Sequence, residues 1–316
     1  MKTLVGAEES LGRVRSHIQR GGAALGGRIG DHLAGYLGRP GKMIRARYSL
    51  LLGACLGVET GAAERVAAVA ELVHNASLLH DDCIDDGLLR RGLPTPNALF
   101  GDRAGVLLGN LCFTEALSEA RRLSSSAAQA LVEAASEMSV GELQEEFLRG
   151  STNLSAEGYC GLAVRKTGSV FEWAGKALSG LSPERHRPQD PVRLGRLAGI
   201  ILQIVDDVHD FALERDVAGK EPGQDLRNGR LTLPCILALD DEDARPRMLR
   251  IWASREKPEA LGQAMELFME RGFLAASRAK AREALEEALP VAEGLPVRER
   301  ASALAGFLKR MLEREF

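Results

Sequence analysis

The sequence predicts an all-α protein, a single domain of ten or more helices over residues 1–316. Three observations predict it. Leu, Val and Ala recur at three- and four-residue spacings along most of the chain, the period of an amphipathic helix. No segment alternates with period two for long enough to make a sheet. Aromatic residues are only 4% of the chain, whereas strands favour aromatic and β-branched side chains.

Taken in order, the helical periodicity runs through 61–82, 103–123, 126–148, 190–211, 258–271 and 275–289. Breaks are expected where Gly, Pro or Ser accumulate, at 37–41, 92–97, 124–126, 150–156, 180–191 and 218–229, because these residues favour turns over helix interiors. The Arg- and Glu-rich stretch 275–315 reads as helices whose solvated faces carry i,i+4 charge pairs. There is no repeat at solenoid spacing, no low-complexity tail and no long linker.

Charge is nearly balanced, 41 Lys and Arg against 44 Asp and Glu, a net charge of −3. That argues against a nucleic-acid coat or a membrane-surface binder, both of which need a basic excess. Five cysteines (Cys55, Cys83, Cys112, Cys160, Cys235) are spread widely with no C-x-x-C pair. They give neither a zinc site nor a disulfide framework, which favours a reducing compartment. Glu8 and Glu9 fall where a signal peptide needs an apolar run, and no apolar stretch nears the roughly 18 residues of a membrane span. A cytoplasmic protein is expected.

The most informative stretch is His80-Asp81-Asp82-Cys83-Ile84-Asp85-Asp86, at the end of an apolar helix beginning near Ala62. Asp is a poor helix former, and anions at a helix C-terminus oppose the macrodipole. Something must compensate, and a divalent cation would. Asp81 and Asp85 lie one turn apart on one face, about 6 Å along the axis, with Asp82 beside them. One such motif is weak evidence. A second copy, Asp206-Asp207-Val208-His209-Asp210, ends another apolar helix beginning near Leu194. Carboxylate-only ligands favour hard cations, and Mg²⁺ commonly takes one or two carboxylates together with substrate phosphates. The Glu-x-x-His ligands of a di-iron bundle are missing.

If Mg²⁺ and phosphate are the chemistry, cations should stand near both motifs. Arg90 and Arg91 follow the first, in a turn ended by Pro94 and Pro96. Lys220 and Arg230 follow the second within a Gly-rich stretch, Lys166 and Thr167 lie mid-chain, and Lys42 and Arg45 open an early helix on a shared face.

These residues resemble the trans-isoprenyl diphosphate synthase (polyprenyl synthetase) family over most of the chain. The resemblance rests on G-K-M-I-R at 41–45, E-L-V-H-N-A-S-L-L-H-D-D-C-I-D at 71–85, R-R-G-L-P-T-P-N at 90–97 and G-E-L-Q at 141–144. It continues with K-T at 166–167, Q-I-V-D-D-V-H-D at 203–210 and G-K-E-P-G-Q-D-L-R-N-G-R-L-T-L-P at 219–234. It implies an isoprenoid-synthase-type helical bundle around a central cavity, usually a homodimer, that condenses isopentenyl diphosphate with an allylic diphosphate (geranyl, farnesyl or similar). It further implies three Mg²⁺ ions bound with the allylic diphosphate. On that resemblance Asp81, Asp85 and Asp206 are the principal metal ligands, supported by Asp82, Asp207 and Asp210. Arg90, Lys166, Thr167, Gln203 and Lys220 hold the allylic diphosphate, with Arg230 nearby keeping a positive charge where Lys is common. Lys42, Arg45, His74 and Arg91 hold isopentenyl diphosphate.

The sequence departs from the family at Met43, where Arg is common, at Ala46, where Pro is usual, at Asn110, where Asp is common, and at His209, usually aliphatic. None removes a motif carboxylate. In the family the side chains below the first motif form the cavity floor, here Ala76, Ser77 and, deeper, Val73. None is aromatic, so a product longer than C15, C20 or beyond, is expected. Two other readings compete: a class I terpene cyclase or head-to-head condensing enzyme, and a partner subunit of a heteromeric polyprenyl synthase. The first needs no isopentenyl diphosphate site, so the Lys42, Arg45, His74 and Arg91 set counts against it. Eroded carboxylates would mark the second, and both motifs are intact.

Overall fold

A computed structural model describes residues 2–23, 26–39, 41–212 and 222–313. The chain is almost entirely helical: α1 (Lys2–Ala23), α2 (Gly27–Gly38), α3 (Ile44–Cys55), α4 (Thr60–Ile84), α5 (Pro96–Phe100), α6 (Asp102–Leu123), α7 (Ser125–Leu148) and α8 (Ala156–Ala163). A π-helical turn at Val164–Gly168 joins α8 to α9 (Ser169–Leu181). There follow α10 (Gln189–Ala212), α11 (Gln224–Arg227), α12 (Leu233–Asp240), α13 (Arg245–Ala253), α14 (Glu259–Arg271), α15 (Phe273–Glu293) and α16 (Arg298–Glu313). The expected helical class holds. Among the described residues the one addition is a two-residue antiparallel ladder, β1 (Leu89–Arg90) with β2 (Leu93–Pro94), in which Arg90 faces Leu93. Arg91 and Gly92 between them have φ of 52° and 74°. Positive φ at both central residues is the requirement of a type I′ hairpin turn.

The chain forms two compact units, each assembled from three separate stretches. The first comprises Met1–Ala135, Val170–Gly195 and Val291–Phe307. Its spine is α4, whose Ala63, Val66, Ala67, Val69, Ala70, Val73 and Ala76 are buried against α3, α6 and α1. Small side chains along α4 allow those helices to approach closely. Several of the few aromatics are core anchors: Tyr48 meets Phe171 edge-on at 5.1 Å, and the buried Trp173 indole donates to the Ala127 carbonyl at 2.9 Å. Each fully buried large side chain contributes about 1.5–3 kcal/mol.

The second unit comprises Ser136–Ser169, Arg196–Pro290 and Leu308–Phe316. Phe268 is fully buried between the edges of Phe211 and Phe273, at 5.1 and 6.3 Å. Trp252 ties the 149–155 loop down by donating to the Gly150 carbonyl at 3.0 Å. All five cysteines are unpaired, and burial pushes the Cys55, Cys112 and Cys235 thiols up to about 12. They act as small apolar side chains rather than nucleophiles. No helix among the described residues is long and apolar enough to cross a membrane.

Candidate active site

The first acidic motif occupies the last turn of α4. Asp85 caps the helix, its N–H bonding the Asp81 carbonyl at 2.8 Å, and Asp86 takes the left-handed conformation (φ 51°) that turns the chain away. Gly87 then passes directly over Asp82: a Cβ there would lie 2.9 Å from Asp82 Oδ1. Its N–H satisfies the Asp82 carbonyl at 2.8 Å, one of the carbonyls a helix end leaves unpaired. Asn97 completes the seal from α5, its side-chain amide donating to the Asp82 and Gly87 carbonyls at 2.9 and 3.1 Å.

Asp82 itself is buried. Arg90 donates to it from Nε at 2.8 and 2.9 Å and from Nη2 at 2.6 Å, and the Tyr36 hydroxyl of α2 donates at 3.2 Å. Burial alone would lower the Arg90 pKa. The Asp82 bonds and charge outweigh it and raise it. Part of the compensation that the acidic run demands is therefore built into the protein. The type I′ turn separates the two arginines: Arg90 reaches Asp82, while Arg91 donates from Nη1 to the Arg39 carbonyl at 2.9 Å and lies against Gly41. Asp81 and Asp85 are half-buried.

Beside this motif, His74 sits among Arg45, Arg91 and Arg90. Burial and those three positive charges hold its pKa well below the usual imidazole range, so it is neutral. The Arg45 guanidinium lies over the Phe171 ring at 5.6 Å. Lys42 is exposed. Met43 is buried in a left-handed conformation (φ 49°) just before α3, so its apolar side chain joins the core where the family commonly presents a cation. At Ala46 the departure from Pro has a use, since its N–H donates to the buried Glu71 carboxylate at 3.0 Å. Proline has no N–H to give. Val73 and Ala76 are fully buried, and half-buried Ser77 donates to the His74 carbonyl at 2.9 Å. Asn110 is exposed on α6.

The second motif ends α10. Asp206 is exposed, His209 and Asp210 are half-buried and Asp207 is buried. Asp207 accepts a hydrogen bond from the Tyr159 hydroxyl at 2.6 Å and from Gln203 Nε2 at 2.8 Å. Burial pushes its carboxyl well above the ordinary carboxylate range. The charge of Asp225 adds to this, against the two hydrogen bonds. Asp210 accepts the N–H of Asp225 at 3.1 Å and so fixes the start of α11.

Gln203 in turn accepts from the Thr167 hydroxyl at 2.7 Å. Thr167 and Lys166 lie on the π turn. That turn is pressed against α10 at Gly199, where a Cβ would come 2.3 Å from the Gly168 Cα. Lys166 pairs with Glu142 at 2.8 Å and Glu145 at 2.6 Å, and Arg230 with Glu145 at 3.4 Å and Asp225 at 3.7 Å. Lys166, Thr167, Gln203, Asp207 and Arg230 are thus gathered in one place, and all but Thr167 line a cavity of about 90 Å³. Lys220 lies outside the described residues.

Among the described residues, no three of His, Cys, Asp and Glu converge into a ready-made metal cage. The oxygen-only carboxylates on successive helical turns instead suit a cation such as Mg²⁺, which completes its shell with substrate phosphates and water.

The polyprenyl synthetase family model matches residues 28–268. This chain belongs to that family. The octaprenyl diphosphate synthase of Haemophilus influenzae is 31% identical over 283 residues, covering 87% of this chain and 85% of that one. The nonaprenyl diphosphate synthase of Mycobacterium tuberculosis is 33% identical over 67% of this chain and 64% of its own. Among solved structures, a decaprenyl diphosphate synthase from Rhodobacter capsulatus superposes with a TM-score of 0.87 at 25% identity, covering 98% and 97% of the two chains. A polyprenyl synthase from Caulobacter crescentus complexed with calcium and isoprenyl diphosphate gives 0.89 at 25% identity, covering 98% and 96%. The chain is an all-α trans-prenyltransferase of this family.

Several residues that shape this polyprenyl synthetase site escape a reading by motif. Tyr36 and Tyr159 supply the hydroxyls to the second aspartate of each motif, and Asn97 seals the end of α4. Asn97 ends the quoted 90–97 motif, where Thr95-Pro96 reads as a helix start with Thr at the cap and Pro at the first position, but its role as a seal was not legible there. Glu71 opens the quoted 71–85 stretch but had no role read for it, and Glu145 had no sequence signal beyond its charge.

Proposed function

We propose that this trans-prenyltransferase condenses isopentenyl diphosphate with an allylic diphosphate, geranyl, farnesyl or similar, to give an all-trans polyprenyl diphosphate of C20 or longer, releasing diphosphate. The observation that carries the reading is the cavity where Lys166, Gln203 and Arg230 meet the second acidic motif. Cations and amide donors beside carboxylates are what a diphosphate–metal complex requires. Asp81, Asp85 and Asp206 would hold Mg²⁺, which when bound stabilises charge developing on the departing diphosphate. Lys166, Thr167 and Gln203 bind the allylic diphosphate, as do Arg90 and Lys220, and Arg230 adds charge beside them. Lys42, Arg45, Arg91 and neutral His74 bind isopentenyl diphosphate.

The allylic C–O bond breaks with its electron pair leaving on diphosphate. The alkene of isopentenyl diphosphate, fixed in position, attacks the allylic carbon, and the released diphosphate takes the proton. Positioning supplies much of the rate. None of Val73, Ala76 and Ser77 is a bulky aromatic that would stop a growing chain, in keeping with the octaprenyl and nonaprenyl names of the relatives. The exposed Val106, Leu107, Leu111 and Leu117 of α6 support a homodimer, since large exposed apolar patches mark association surfaces. A cytoplasmic location completes the proposal.

The test is diphosphate release from isopentenyl and farnesyl diphosphates with and without Mg²⁺, with labelled products resolved by length. Mg²⁺-dependent formation of C20 or longer products is expected. No turnover in either condition would overturn the reading, and products ending at C10 or C15 would overturn the length.

A further inference from the structure

Glu145 has no role in the reaction as proposed, yet one of its oxygens, Oε2, lies 2.6 Å from Lys166 Nζ and 3.4 Å from Arg230 Nε. The three side chains are 17–23% exposed, well below the exposure at which an ion pair is worth almost nothing. Glu142 and Asp225 add further carboxylates on the same two cations, and Asp207 lines the same cavity. Two cations thus stand among four carboxylates where the proposed function seats a diphosphate. An anion that takes its hydrogen bonds from Lys166 and Arg230 must compete with the carboxylates already holding them. Glu145 is the carboxylate best placed to yield, because among the described residues it pairs with both cations through one oxygen, whereas Glu142 pairs with Lys166 and Asp225 with Arg230.

We propose that Glu145 is a positioning residue that holds Lys166 and Arg230 between turnovers and competes with diphosphate for them. It adds a carboxylate shared by two half-buried cations when the site holds no anion, beside the Glu142 and Asp225 pairs. It also weakens the grip on diphosphate, which favours release of the product anion. The inference rests on the proposed seat of the allylic diphosphate.

The test is Glu145→Gln, which keeps the shape and removes the charge. Calorimetry with inorganic diphosphate and Mg²⁺ should show binding roughly tenfold tighter than wild type, the worth of about one charge-assisted hydrogen bond. KM for the allylic diphosphate should fall with it while KM for isopentenyl diphosphate stays put, a split that general loosening of the fold would not produce. Glu142→Gln should move both values less. Unchanged or weaker diphosphate binding in a folded Glu145→Gln protein would overturn the inference. If that variant does not fold, Glu145→Asp decides, with tighter binding supporting the inference and unchanged or weaker binding overturning it. A wild-type protein that neither binds diphosphate nor turns over would instead overturn the proposed function, and this inference with it.

Discussion

The second aspartates of the two acidic motifs, Asp82 and Asp207, are both buried at the end of an apolar helix, and they are stabilised in opposite ways. Asp82 is clamped by a cation, Arg90, with a tyrosine in support. Among the described residues Asp207 has two neutral hydrogen-bond partners, Tyr159 and Gln203, while burial and then the charge of Asp225 push its pKa up. A repeated sequence motif therefore does not imply a repeated electrostatic design. At α4 the charge is neutralised within the protein. At α10 it is tolerated, and the cations nearby pair with other carboxylates. In each motif the second aspartate anchors the helix end, and the proposed metal ligands, Asp81, Asp85 and Asp206, are among the others.

The largest effect should come from those proposed ligands. Asp81→Ala and Asp206→Ala should each lower turnover by about 10²–10³-fold, the usual cost of losing stabilisation of developing charge, while circular dichroism stays unchanged. Retained activity in both would remove the division between anchors and ligands.

The tyrosines sharpen the comparison next. Tyr159→Phe removes one of two hydrogen bonds to a buried carboxylate and should cost about 1.5–3 kcal/mol in urea unfolding. Tyr36→Phe, whose 3.2 Å bond is secondary to the arginine clamp, should cost about 0.5–1.5 kcal/mol. The reverse order would contradict the assignment of partners.

A smaller effect concerns pH. The folded pKa of His74 is depressed, so below the unfolded value of about 6.5 the unfolded chain binds a proton that the folded one does not. Stability should therefore fall as pH drops through about 6.5, by up to about 1.4 kcal/mol per pH unit until the folded value is reached. Urea midpoints at pH 7 and pH 5 should differ less in His74→Asn than in wild type.

Much of this was legible in the sequence, because the helical period and the two Asp-rich helix ends are local patterns. The Lys166-Thr167 pair and Gln203 could likewise be named from motifs, and they meet. What could not be read depends on distant partners or on backbone detail. Tyr36 and Tyr159 act on aspartates 46 and 48 residues away. The π turn carrying Lys166 is one residue longer per turn than an α-helix, a change that apolar spacing over a short window does not resolve. The hairpin that parts Arg90 from Arg91 uses Arg-Gly, not the Asn-Gly that usually announces a type I′ turn. Glu145 lies one residue beyond the G-E-L-Q stretch that the family resemblance picks out.

The most direct measurement sets Asp82→Asn beside Asp207→Asn in urea unfolding without metal or diphosphate. Asp82→Asn strands a largely buried arginine and should cost about 3–5 kcal/mol. Asp207→Asn relieves a buried charge while losing one hydrogen bond, and should cost no more than about 1.5 kcal/mol. Equal losses, or a larger loss at Asp207, would contradict the account of two motifs built on different electrostatics.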